Sequence, residues 1–512
     1  MKTLGFKKIF IAMIVLLFAQ IGASQTGNNL KEWTFLVYLN ADNNLYPFSY
    51  LNIQQMEKVG SSAGVNVVVQ FDPEPKNLPT TRYLITQNPN PIKGKVTSQV
   101  LQQLPETDMG SPQTLADFLT WGVKTFPAKK YAVVIWNHGN GWQGVSYDDN
   151  PRTYLSMPML RKGLEAMNVA ISQQRGSARA MGSQIDLINF DACLMSTLEV
   201  AYELKDVAKY LVGSQFLEPG DGENYTSFLQ PLVAKPQMDG KELAEIMVYQ
   251  YALNYQNDNS DINYAAIDLS RVTQFTTLFD QASKMLNVSA AKPQIKKAFG
   301  SSSFDLITGL TAAKKAATSD ANAVAALDQV LQSYGYPAEG VFRGKLGGTG
   351  SFANNEAMLS LNSVTRTYPS DVYYRYAVNG NWAKGKLVAN AMGEYQFVFP
   401  NGKPKQYFVV AQKNLRVGFK EIAAQEALST YLKDGQDPVI YHNQFPATSP
   451  LVADAYTRGT RGAHGMTLYS LAGMMAQNNS ATSQAGSEIL KQYRQLSFAT
   501  VGAPQWTGFF GQ

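Results

Sequence analysis

One cysteine, Cys193, and three histidines, His138, His442 and His464, are the scarce side chains that could carry nucleophilic or acid–base chemistry. A thiolate attacks carbonyl carbon, and imidazole takes up and returns a proton near neutral pH. His138 and Cys193 lie fifty-five residues apart. His138 follows the apolar run 131–137 (YAVVIWN), and Cys193 follows 185–190 (IDLINF) and Asp191-Ala192. That separation fits one strand–helix–strand unit plus a loop, so neighbouring strand ends could bring imidazole and thiol together. The usual fate of a lone cysteine is to be a small buried hydrophobe. A core cysteine would sit in mid-strand, whereas this one ends a strand and precedes a helical pattern over 194–204. A strand-to-helix turn there aims N–H groups and the positive helix end at the sulfur, which predicts a thiol pKa below the ordinary value of about 8.5. His442 and His464 lack the cysteine or second-histidine spacing of a zinc site and read as ordinary surface or loop residues.

The elements that must position the pair are short apolar runs alternating with helical patterns. Strands are expected over 33–39 (WTFLVYL), 65–71 (VNVVVQF), 131–137, 185–190, 210–214 and 264–268. Ser111-Pro112 opens a helix, serine as N-cap and proline in the first turn, and Leu115, Phe118, Leu119 and Phe126 form its apolar face. Nearly continuous apolar strands separated by helices imply an α/β fold, a mostly parallel sheet covered on both faces. Ligands of such sheets bind at the carboxyl ends of the strands, where His138 and Cys193 both lie. Beyond about residue 270 the chain turns alanine-rich and helical to about 335, then mixed over 340–445, with strand-like 373–378 and 395–399. The polar, basic stretch 173–182 (QQRGSARAMG) reads as an exposed loop. Three parts are expected: a leader over 1–24, a catalytic domain over 25–270, and a helical and mixed region over 271–512 that packs on or completes it.

The leader carries Lys2, Lys7 and Lys8, an apolar run over 9–19 and small residues at Gly22, Ala23 and Ser24, the pattern of a cleaved secretory signal. The alternative, a membrane anchor, needs about 20 apolar residues, more than this run supplies. An exported protein, periplasmic or extracellular, without stable membrane insertion is therefore expected. Apolar residues make up 45% of the chain, enough for a sizeable core. The formal charge of +5 becomes nearly neutral once the three leader lysines leave, which gives no case for nucleic acid as a partner. A monomer is the expected state. One cysteine forms no intramolecular disulfide, and a free thiol in an exported protein points to a reactive group. Gly139-x-Gly141-x-x-Gly144 matches a dinucleotide fingerprint but leads into a turn, and Gly60-Ser-Ser62-Ala-Gly64 joins a helix to a strand, the reverse of a serine-hydrolase elbow. Neither is read as a site.

His-Gly at 138–139 and Asp-Ala-Cys at 191–193, each after a strand, resemble the caspase-like cysteine peptidases. The string DACLM (191–195) is similar to the clostripain family, peptidase family C11. FLVYLNADNNL (35–45), GMTLY (465–469) and YRQLSF (493–498), with Trp506 and Phe509, resemble other parts of it. The resemblance implies a caspase-like sheet and a secreted endopeptidase. Cys193 would be its nucleophile, His138 its general acid–base, and the N–H groups of Gly139 and Cys193 its oxyanion hole. Asp191, two residues before the nucleophile, shares its side of an extended chain, and a carboxylate there suits a cationic primary pocket. The family implies the same cleavage after Arg or Lys, with Asp221 in EPGDGEN as a second pocket carboxylate. The plainer alternatives are a helix N-terminal residue for Asp191 and a turn aspartate for Asp221. Zymogens of this kind cut themselves between histidine and cysteine, which makes Arg152, Arg175 and Arg179 candidate processing sites; for Arg152 a plain surface arginine is the alternative. No motif calls for a cofactor or metal; some members bind calcium, but no standard calcium loop appears here. The rival readings are a transpeptidase or ligase using the same dyad, and a catalytically inactive surface binding protein.

Overall fold

A computed structural model describes residues 30–176, 184–255, 262–301, 305–335, five strands between 372 and 442, and residues 445–457, 465–468 and 484–510. The leader and His464 lie outside the described residues. The strands are β1 (Lys31–Ala41), β2 (Val65–Pro73), β3 (Thr80–Leu84), β4 (Gln99–Leu104), β5 (Ala128–Trp136), β6 (Val145–Asp148), β7 (Thr153–Leu155), β8 (Ile185–Asp191), β9 (Ala208–Gly213) and β10 (Asn263–Asp268). They are followed by β11 (Val372–Arg375), β12 (Trp382–Ala389), β13 (Tyr395–Val398), β14 (Phe408–Val410), β15 (Val439–His442) and β16 (Leu451–Thr457). The helices are α1 (Tyr46–Val59), α2 (Pro112–Thr125), α3 (Met157–Gln174), α4 (Leu198–Leu204), α5 (Tyr225–Ala234), α6 (Gly240–Tyr255), α7 (Val272–Val288), α8 (Lys292–Ser301), α9 (Leu306–Ala316), α10 (Ala321–Tyr334), α11 (Gln484–Tyr493) and α12 (Pro504–Phe510).

Ten strands form one sheet in the order β15-β16-β10-β9-β8-β5-β1-β2-β3-β4. Its centre, β9-β8-β5-β1-β2, is wholly parallel, and antiparallel strands extend both edges. The fold class expected from the sequence is therefore the one observed. The central strands are buried along almost their whole length because helices cover both faces. On one face α1, α5 and α6 pack on Phe35, Val37, Val67, Val134 and Leu187; on the other α2, α3, α4 and α7 pack on Leu36, Val68, Val133, Ile135 and Ile188. The helix opened by Ser111-Pro112 is α2, its cap closed by Ser111 Oγ accepting from Gln113 N at 3.3 Å. A separate four-stranded antiparallel sheet has the order β13-β12-β11-β14. His442 ends the edge strand β15, opposite Asp454.

Segments late in the chain brace the early ones. Strand β16 pairs antiparallel with β10 and so belongs to the main sheet. Residues 465–468 run beside 196–198, where Thr467 N donates to Ser196 O at 2.9 Å and Leu198 N donates to Thr467 O at 2.8 Å. The C-terminal tail closes over α4: Tyr493 Oη donates to Glu199 Oε1 at 3.1 Å and Phe498 N to Glu203 Oε1 at 2.8 Å. Trp506 is fully buried, with its ring 5.0 Å from that of Phe279 in α7. Trp506→Ala should destabilise the protein by about 3–5 kcal/mol in a denaturant titration, because it removes a large aromatic from a packed site.

Candidate active site

Strands β5 and β8 pair in parallel with Trp136 opposite Asp191, so the residues two beyond each, His138 and Cys193, leave the sheet at the same level. The two loops are pressed together. A Cβ on Gly139 would lie 2.2 Å from the Cys193 carbonyl oxygen, so only glycine allows this approach. Glycine 139 forms an isolated bridge with Val145, its neighbours making the hydrogen bonds. Among the described residues no carbonyl accepts from the N–H of Gly139 or of Cys193. Leu194, directly after the cysteine, has φ 67°, a left-handed conformation that costs a side-chain-bearing residue roughly 1–2 kcal/mol. It turns the chain so that 194–196 run beside 214–218: Leu194 N donates to Phe216 O at 2.9 Å and Ser196 N to Ser214 O at 2.8 Å.

The expected helix directly after Cys193 is corrected here. Helix α4 begins at Leu198, and its N-cap is Thr197, whose side chain accepts from Val200 N at 3.0 Å. The helix end therefore stands several residues from the sulfur, and the expected fall in thiol pKa does not follow. Burial pushes the Cys193 thiol up, and Asp191 adds to the rise. Hydrogen bonds from the Glu218 N–H, at 3.2 Å, and from its own N–H oppose it. Burial also holds the His138 imidazole below its ordinary range, against the raising pull of Asp149. The resting pair at neutral pH is thus a thiol and a neutral imidazole. His138 Nε2 is 2.6 Å from Asn44 Oδ1, which orients the ring.

Beside Cys193 lies a group of buried carboxyl groups. Asp191 is 5% exposed, its Oδ2 accepting from Tyr225 Oη at 2.9 Å and its Oδ1 from Glu223 N at 3.2 Å. Burial raises it to about 7. Glu218 and Glu223 are pushed well above the carboxylate range, first by burial and then by repulsion from Asp191. Neither carboxylate oxygen of Glu218 has a hydrogen-bond partner; the nearby Ala192 N–H lowers its pKa without forming a well-made bond. One oxygen of Glu223, Oε1, is also unpartnered. Asp221, in the same loop, is exposed, and its main-chain carbonyl accepts from Asn52 Nδ2 at 3.1 Å. The turn at Gly222, φ 60°, brings that glycine against Asp191 Oδ1 and directs Glu218 and Glu223 inward in place of Asp221.

Among the processing candidates, Arg152 is exposed on the β6–β7 turn with φ 61°. Arg175 follows α3 and donates from Nη2 to Lys129 O at 2.7 Å. Arg179 lies outside the described residues.

A profile of the clostripain family (Peptidase_C11) matches residues 37–409, well over half of the chain. The chain belongs to the clostripain family. Clostripain of Hathewaya histolytica is 28% identical over 239 residues, 42% of this chain and 45% of that protein, so the chain spans less than half the length of this relative. A secreted C11 cysteine protease from Bacteroides thetaiotaomicron, solved with an irreversible peptide inhibitor, is 17% identical, with 78% of this chain and 98% of that one covered at a TM-score of 0.45. An inactive zymogen C11 protease from Parabacteroides distasonis is 15% identical, with 73% and 94% covered at a TM-score of 0.43.

A second cluster of carboxylates gathers from the ends of β1, β2 and β6 and the β4–α2 connection. Asp42, Asp72, Glu106 and Asp148 each offer one oxygen, and these oxygens lie within 4.8 Å of one another. The first, second and fourth are buried. Burial first, then mutual repulsion, raises Asp42 to about 7 and Asp72 to about 8; burial does the same to Asp148, to about 6. No metal spacing was evident in the sequence because the four residues come from four separate segments.

Two outcomes test this geometry. Gly139→Ala should lower stability by about 2 kcal/mol or more, since backbone must move to admit the methyl group. With one cysteine in the chain, alkylation by iodoacetamide reports Cys193 alone. Its rate should keep rising beyond about pH 8.5, where an unperturbed thiol levels off; a plateau below pH 7 would contradict the burial argument.

Proposed function

We propose that this chain is an exported cysteine endopeptidase that cleaves after Arg or Lys. The observation that carries the specificity is the group of three buried carboxylates, Asp191, Glu218 and Glu223, beside Cys193, with no described cation paired to them. Buried charge without a partner is costly, and a lysine ammonium or arginine guanidinium entering this space would supply the missing partner. Asp191 and Glu218 are the residues assigned to that contact.

In the reaction, Cys193 Sγ attacks the scissile carbonyl carbon as its proton passes to His138. The carbonyl oxygen gathers charge and accepts from the N–H groups of Gly139 and Cys193. His138, held by Asn44, then gives the proton to the departing amine nitrogen, and water hydrolyses the acyl-enzyme. A protonated thiol at rest makes His138 a true base in the first step. Self-cleavage after Arg152 activates the chain: the residue is exposed on a turn between His138 and Cys193, accessible to a second copy. Arg175, tied to Lys129, is the weaker candidate.

Cleavage of a peptide library by wild type but not by Cys193→Ala would establish the nucleophile, and full activity of that variant would refute it. Asp191→Ala should lower kcat/KM on arginyl substrates by about 30-fold or more, the equivalent of about 2 kcal/mol of lost charge pairing. Loss below threefold would remove Asp191 from the pocket.

The pH dependence has a definite sign. Asp191 must be ionised to bind a cation and its free-state pKa is about 7, so affinity grows as pH rises through 7 and is lost below it. On Cys193→Ala protein, a peptide ending the cleaved side in arginine should bind up to about tenfold more weakly per unit below pH 7, while its norleucine counterpart shows no such slope. Amino-terminal sequencing of matured protein should read from Thr153.

A further inference from the structure

We propose that Tyr493, at the end of α11, is a positioning residue for His138 and acts through Trp142, which follows the histidine in the same loop. The proposal rests on the reading of His138 as the acid–base group of the peptidase. Trp142 lies in a short 3-10 turn, Gly141–Gln143, and is 2% exposed. Its ring stands at 88° to that of Tyr493 with the centroids 5.1 Å apart, the edge-to-face arrangement that aromatic quadrupoles favour. Tyr493 is fully buried, and its hydroxyl donates to Glu199 Oε1 on α4 at 3.1 Å. One turn further along α4, Glu203 accepts from Ser497 Oγ at 3.1 Å and from Phe498 N at 2.8 Å. The tail thus holds the Tyr493 ring on α4 by bonds that do not involve the histidine loop.

From His138 to Trp142 the loop is closed by its own hydrogen bonds. Ser146 N donates to His138 O at 3.3 Å, Asn140 N to Gly144 O at 2.9 Å and Gln143 N to Asn140 O at 3.2 Å. Asn140 Nδ2 also donates to Gln143 Oε1 at 2.7 Å. A shift of Trp142 therefore carries His138 with it. The same loop rests on the nucleophile's segment: besides the Gly139 contact, a Cβ on Gly141 would lie 3.2 Å from Leu194 O and 3.5 Å from Thr197 Cγ2. Tyr493 supplies a second bearing, and Thr197 and Glu199 bring both bearings to the start of α4. Removing the Tyr493 ring leaves a void beside Trp142, and an indole that relaxes into it displaces the imidazole relative to the sulfur. A misplacement of about 1 Å costs a reaction on the order of 100-fold in rate.

Tyr493→Leu should lower kcat on an arginyl peptide by about tenfold or more and leave KM within about twofold, because no substrate contact is lost. Tyr493→Phe, which keeps the ring and loses the bond to Glu199, should lower Tm yet keep kcat within about threefold. Measured well below each Tm, a merely structural role would leave kcat unchanged in both variants. A second readout needs no catalysis. In full-length Cys193→Ala protein with labelled histidines, the His138 ring resonances, assigned with His138→Asn, should move in Tyr493→Leu and stay in Tyr493→Phe. Those of His442 and His464 should stay in both. Trp142→Leu leaves the tail and its bonds to α4 in place and should reproduce the loss of kcat and the movement of the His138 signals. His138 resonances unmoved by Tyr493→Leu and Trp142→Leu would overturn the proposal, as would equal losses of kcat in the Leu and Phe variants of Tyr493. A wild type that cleaves nothing would refute the peptidase reading, with the His138 resonances still deciding the role of Tyr493.

Discussion

The parallel pairing of β5 with β8 is the constraint on which the site depends. Its register puts Trp136 opposite Asp191, and this alone brings two loops fifty-five residues apart in sequence to the same height. Parallel strands cannot be joined by a tight turn, so a helix, α3, must cross between them, and its apolar face makes part of the core. Two residues beyond the register pair the chain carries His138 on one side and Cys193 on the other. A shift of register by one residue would reverse which face each strand buries, with Val133 and Ile188 on one side and Val134 and Leu187 on the other. The cost of moving that core is what fixes the distance between imidazole and thiol. Gly139 then sets how close the loops come.

Around this frame the molecule buries carboxyl groups in two places. In each group burial leaves carboxylate oxygens short of partners, as Asp72 Oδ2 and both oxygens of Glu218 show. Without a cation such groups neutralise themselves by taking up protons, and the raised pKa of Asp191 and of Asp42 and Asp72 is the form this takes. Selectivity follows from the same physics. On the proposed Arg/Lys reading, an apolar side chain entering beside Asp191 and Glu218 would leave their burial uncompensated, and discrimination would come from what the empty pocket lacks.

Much of this frame was legible in the sequence because the central strands are nearly unbroken apolar runs, and only a sheet covered on both faces buries such runs. The ends of those runs located His138 and Cys193. The helix after Cys193 was misread because Leu194, Met195, Leu198 and Val200 continue an apolar pattern across a left-handed turn that pattern alone does not reveal. Thr197 was the available signal, a capping residue followed by an acidic first turn. In EPGDGEN the sequence draws attention to Asp221, which the structure places exposed. A glycine-flanked aspartate reads as the special residue, yet the glycines serve the backbone's approach to Asp191, and it is the outer glutamates that point inward. The cluster of Asp42, Asp72, Glu106 and Asp148 has no signature spacing at all, since its members meet only when β1, β2 and β6 are in place.

The loop after β1 links His138 to the second carboxylate cluster. Residues 40–45, NADNNL, contain three asparagines and one aspartate, and each has a distinct geometric task. Asn40 Nδ2 donates to Ser146 Oγ and Tyr147 O, both at 3.2 Å, Asn43 reaches the same carbonyl, and Asn44 holds His138. Asp42 alone faces the carboxylate cluster. Amides suit the first three roles because they donate and accept without charge. A charged residue at position 44 would perturb the imidazole it orients; a neutral Oδ1 fixes the ring without deciding its protonation. That leaves burial as the main influence on the His138 pKa and keeps the ring neutral, able in the proposed reaction to accept the thiol proton that the half-buried Cys193 retains.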